Sequence, residues 1–226
     1  MKNSYLSLIA VFLIAVGCYP PPEYPDAPSI SFNDVTFYNN ATGTDSLVLS
    51  LNFRDGNGDL GLRPSENDEP YNPINYPRDS EGNLIERGSS PSLPDDDCSY
   101  VTRLFVIEGD SVYRDIYIEP NENHFNIDVE FLVKNGATFE PFDFRAIYPD
   151  DCGLNFNGRF PLLQDDDDLG SGPIEGILNY RMKSPVWNVF FAPDDSLRLR
   201  VQIRDRALNA SEEILTPPFT LQGVTN

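Results

Sequence analysis

The stretch that most restricts the fold is DSLVLSLNFRD, residues 45–55, in which Leu47, Leu49, Leu51 and Phe53 recur at every second position. A period of two marks a strand with one face against a core and the other in water. The pattern returns as DSLRLRVQIRD, residues 195–205, with Leu197, Leu199, Val201 and Ile203 on one face and Arg198, Arg200, Gln202 and Arg204 on the other. In both copies Asp-Ser opens the segment and Arg-Asp closes it. Two such strands need edge partners and a second layer over their apolar faces, which points to a packed β domain.

The rest of the chain agrees. Alternation predicts strands over 29–38 (broken near Asn33-Asp34), 100–107, 112–118, 125–131, 142–148, 177–182, 186–191 and 213–221. The last contains Pro217-Pro218, which suits an edge strand. Helical periodicity is not sustained after the N-terminal segment. The fold expected is all-β, an immunoglobulin-like antiparallel β-sandwich with long irregular loop insertions. Residues 60–97 and 150–173 have no apolar period, and a loop as long as the first is functional, disordered or both. In such a sandwich the second and penultimate strands run the same way and face each other, and 45–55 and 195–205 are assigned to them.

The N-terminus speaks to compartment. Lys2 precedes a short apolar run, residues 6–16, that ends Ala15-Val16-Gly17-Cys18. This is a signal-peptide core too short to span a bilayer. Its ending resembles the lipobox of bacterial lipoproteins, in which the cysteine is lipidated, with Ala15 where Leu is usual. A plain secretory signal is the alternative. Residues 19–28 (YPPPEYPDAP) form an extended tether. The organisation expected is signal peptide 1–17, lipidated Cys18 and tether 18–28, and one domain over 29–226. Cys98 and Cys152 then remain, and in an oxidising compartment such a pair is a disulfide. The net charge of −20 excludes nucleic acid and electrostatic adhesion to anionic lipid.

Beyond Phe53 the chain reads D-G-N-G-D, residues 55–59, a run of oxygen donors. The period of two keeps Asp55 on the side of Phe53 and Asp205 on the side of Ile203, so both should face inward at one pole. Like charges held close need neutralising. Calcium, taken by Asp55, Asn57, Asp59 and Asp205, would do so. Asn209 is either a further donor or the stabiliser of its own turn. The competing reading is a plain Gly/Asn turn whose aspartates pair with Arg54 and Arg204. An EF-hand fails, since Leu60 replaces the required glycine, Pro64 stands where the exit helix should start, and the entry is a strand. Glu66, at the twelfth loop position, is a further candidate ligand.

The lipobox, the F-x-D-G-N-G-D-L-G block (residues 53–61) and the V-Q-I-R-D-R-A-L-N-A-S block (201–211) together resemble Bacteroidota lipoproteins of unknown function. The second block is similar to the ending of bacterial immunoglobulin- and cadherin-like domains. The resemblance implies an envelope-anchored sandwich, outer-membrane bound, with the leaflet open because Tyr19-Pro20-Pro21-Pro22 follows Cys18 instead of an acidic run. The chain holds one histidine, His124, in a polar turn, and no G-x-S-x-G, H-E-x-x-H or phosphate-binding glycine loop. A non-catalytic binding or scaffold module, not an enzyme, is therefore expected, with a glycan or protein partner unspecified. Glycan recognition would use Tyr71, Tyr76, Tyr100 and Trp187, although Trp187 sits in the apolar run 186–191 and is assigned to the core. A carboxylate-pair glycoside hydrolase is disfavoured, because no acid pair stands in a motif.

Overall fold

The computed structural model describes residues 22–40, 43–165 and 168–226; the expected signal peptide, 1–17, and the expected lipidation site, Cys18, lie outside them. In chain order the strands are β1 (Ser29–Tyr38), β2 (Asp45–Asp55), β3 (Ile74–Asn75), β4 (Tyr100–Ile107), β5 (Asp110–Tyr117) and β6 (Glu119–Pro120). They continue with β7 (Ile127–Asn135), β8 (Thr138–Pro141), β9 (Ile174–Ser184), β10 (Leu197–Ile203) and β11 (Ile214–Leu215). The fold is all-β. One sheet has the order β1-β2-β9 and a second the order β11-β10-β7-β8, with β3-β6 and β4-β5 as separate pairs. Every named pairing is antiparallel.

The two matching segments are central strands, one in each large sheet. Leu47, Leu49, Leu51, Leu197, Leu199, Val201 and Ile203 are all fully buried. Both inner faces feed one hydrophobic cluster. Burying each such side chain contributes about 1.5–3 kcal/mol. The break expected in β1 is a register shift between Phe32 and Asp34. The β4–β5 hairpin turns through Glu108 and Gly109, both at positive φ (52° and 94°), as a type I′ turn requires.

Three expected strands are corrected. Residues 142–148 form a 3₁₀ turn, Phe144–Ala146, capped by Asp143, whose Oδ1 accepts from the Arg145 N–H. Residues 186–191 contain a short helix, Trp187–Phe190. A strand would turn alternate residues outward, whereas the helix buries Trp187, Phe190 and Phe191 together. Trp187 stacks on Phe156 with ring centroids 4.7 Å apart. The last strand is limited to β11 at the edge of β10, since Pro217 and Pro218 have no N–H to extend the ladder.

Strand polarity gathers the long loops at one pole. Ser29 lies opposite Arg54, Ile174 opposite Asp55, and Ile127 opposite Ile203. Thus β1, β7 and β9 begin where β2 and β10 end, and the 56–126 insertion, the loop entering β9 and the 204–213 turn meet there. The 60–97 region is irregular but tied down, which sets aside disorder. Leu60 and Leu62 are buried, and the Asn121 side-chain amide donates to the carbonyls of Pro70 (2.8 Å) and Asn72 (2.7 Å). The Cys98–Cys152 disulfide, as expected, joins this insertion to the loop between β8 and β9. No helix of the described residues is long and apolar enough to cross a membrane.

Candidate metal centre

Inward alternation carries one residue past the apolar part of each central strand. Asp55 is fully buried and Asp205 is 2% exposed. The chain leaves β2 through Gly56, whose N–H donates to the Pro25 carbonyl at 3.0 Å. A Cβ there would stand 2.3 Å from the Tyr24 carbonyl oxygen. Gly58, at φ +70°, bends the loop back so that the Asp59 N–H donates to Asp55 Oδ2 at 3.1 Å. From outside, the Gly170 N–H donates to the Gly58 carbonyl at 3.1 Å. Opposite, Asp205 Oδ1 accepts from the Asn209 N–H and Oδ2 from Asn209 Nδ2, both at 2.7 Å. Asn209 therefore serves its own turn.

Carboxylate oxygens of Asp55, Asp59 and Asp205 lie within 4.8 Å of one another. The Oδ1 atoms of Asp55, Asn57 and Asp59 are buried and have no hydrogen-bond partner. Leaving a buried acceptor unpaired costs about 1–3 kcal/mol, and more when it is charged. Such oxygens on Asp55 and Asp59, clustered with Asp205, could hold a cation, with Asn57 between them in the same loop. The described arginines that flank the site are engaged elsewhere. Arg54 Nε donates to Glu175 Oε2 at 3.2 Å and its guanidinium lies over the Tyr24 ring. Arg204 Nη1 donates to Asp128 Oδ2 at 2.5 Å and to the Glu122 carbonyl at 3.2 Å. The competing arginine pairing is thus absent for both.

Burial pushes the Asp55 carboxyl up to about 6, with the Asp59 and Asp205 charges acting in the same direction. Burial also raises Asp59, and the Asp205 charge adds to it. Glu66 behaves in the opposite way. Hydrogen bonds from Arg206 hold it down to about 2, at 2.8 Å from Nη1 and 2.5 Å from Nη2. It also accepts from the Arg63 N–H at 2.6 Å. Glu66 is the anchor of an ion pair and not a member of the oxygen cluster.

The donors are all oxygen, carboxylate and amide, which is the chemistry of a hard divalent cation. Their open atoms are shielded from solvent, so an ion among them would be structural. The aromatics considered for glycan stacking each have a partner within the chain. The Tyr71 hydroxyl donates to the Arg206 carbonyl at 2.5 Å, Arg103 covers the Tyr76 ring, Arg87 covers Tyr100, and Trp187 is 2% exposed. His124 Nδ1 meets the Tyr71 carbonyl at 2.9 Å and anchors the insertion. Arg206 and Tyr71 were not legible as part of this pole, since their partners stand 140 and 135 residues away. No known protein family, curated protein or solved structure matches the chain significantly.

Proposed function

We propose that this protein is an envelope-anchored bacterial lipoprotein, a non-catalytic binding or scaffold module whose loop-bearing pole is stabilised by calcium. The observation that carries the calcium reading is the set of unpartnered, buried oxygens on Asp55, Asn57 and Asp59, with the Asp55 and Asp59 carboxylates grouped with that of Asp205. Calcium takes six to eight oxygens in a flexible shell, and these residues supply the start of one. Strand order supports the immunoglobulin-like assignment. With β3 to β6 set apart as an insertion, β1-β2-β9 matches strands A-B-E and β11-β10-β7-β8 matches G-F-C-C′. The lipobox ending at Cys18, and the proline-dense stretch after it, support the anchor.

The test is a thermal melt in calcium and in chelator. At calcium a hundredfold above its Kd the fold gains about 2.7 kcal/mol, a rise of roughly 5–10 °C for a domain of this size. Magnesium, smaller and bound to octahedral geometry, should do less. An unchanged midpoint in calcium sinks the reading.

A further inference from the structure

The turn that supplies Asp205 also holds the long insertion. Arg206 makes its paired bonds to Glu66, and its carbonyl accepts the Tyr71 hydroxyl. Arg159 reinforces the far side, donating to the carbonyls of Arg63 (3.2 Å) and Glu66 (2.7 Å) and to Asn67 Oδ1 (2.9 Å). Within residues 62–72, Glu66 and Tyr71 are tied directly to the 205–209 turn, while Leu62 is held by the Phe160 carbonyl and residues 70 and 72 by Asn121. The hairpin β4–β5 depends on other ties. Its base is paired through the Tyr117 N–H to the Ile85 carbonyl (2.8 Å) and the Arg87 N–H to the Asp115 carbonyl (2.9 Å), next to the Cys98–Cys152 bridge.

We propose that the cation is a latch on the insertion: bound, it draws the 205–209 turn onto the 55–59 loop, and through Arg206 and Tyr71 it fixes residues 62–72 at the pole. This rests on the calcium reading. Without the ion, three carboxylates whose oxygens lie within 4.8 Å repel. The β2 side cannot give way, because Arg54 is paired to β1, Asp55 to β9 and Gly56 to the tether. The 205–209 turn lies beyond the end of β10 in no strand ladder, and its bonds are internal, from the Asp205 N–H to the Asn209 carbonyl (3.1 Å) and from Asn209 back to the Asp205 carboxylate, so it is the part that moves, as one unit. Calcium then controls whether residues 62–72 are presented as an ordered surface, while the hairpin is indifferent to it.

Hydrogen exchange by mass spectrometry on the full chain, in calcium chloride and in EDTA, tests this beside calorimetric titration with calcium. The expected result is at least tenfold slower exchange over 62–72 in calcium, with 100–117 unchanged. Glu66→Ala should still bind calcium, yet lose most of that slowing. Tyr71→Phe, which removes one hydrogen bond, should lose part of it and carries the test if Glu66→Ala does not fold. No heat of calcium binding overturns the calcium reading and the latch together. Calcium binding with uniform slowing along the chain, or with wild-type slowing in both variants, overturns the latch alone.

Discussion

Asp55 is a carboxylate out of contact with water, with one oxygen satisfied by the Asp59 N–H and the other unspent. Its folded value, about 6, lies above the ordinary 3.8, so in the metal-free protein it favours the fold only while protonated. That contribution is complete below about pH 4 and is lost as pH rises through about 6. In chelator the melting midpoint should therefore rise between pH 7 and pH 5, by a stability on the order of 1–3 kcal/mol. Glu66, held at about 2, acts the other way only below about pH 4.5, so it does not mask this window. Asp55→Asn should flatten the pH response and abolish the response to calcium; a variant that keeps both would show that Asp55 is not the buried group responsible. The donors themselves were readable from spacing. The fate of Arg54 and Arg204 was not, because Glu175 and Asp128 reach them from strands 121 and 76 residues away in the chain.

Strands with one dry face were legible because alternation is imposed locally by the pleat. Residues 142–148 and 186–191 misled for a related reason. Their phenylalanines and Trp187 mimic a strand's composition, but an aromatic cluster rewards any backbone that turns all the rings inward. Phe131, central in it, stacks on Phe191 at 5.2 Å and tilts against Phe156 at 5.1 Å. At the exit of β2 the close approach of Gly56 to the backbone of Tyr24 and Pro25 demands the absence of a side chain. Gly56→Ala should force the Tyr24 and Pro25 carbonyls away, costing about 1–3 kcal/mol and weakening calcium binding. Gly153→Ala, in an exposed turn, should stay within about 0.5 kcal/mol. Melts of both with a calcium titration give the comparison, and equal effects would refute it.

The topology brings every long insertion to the pole where β2 and β10 end, and the disulfide ties two of them across a sequence separation of 54. In the chain-entropy account a closed loop of this size stabilises by about 4 kcal/mol. Replacing both cysteines by serine should lower stability by roughly that amount while the calcium response persists, since neither cysteine belongs to the oxygen cluster. Loss of the calcium response in that double variant would mean that the two halves of the pole are one unit. Period, donor type and cysteine parity could be read residue by residue, because each is a local property of backbone geometry or side-chain chemistry. The convergence of Asp55 and Asp205 followed from the matching strands, whereas the diversion of the arginines and the ordering of residues 60–97 needed the folded chain. Each depends on which distant strands pair and in what register, and local periodicity carries no record of that choice.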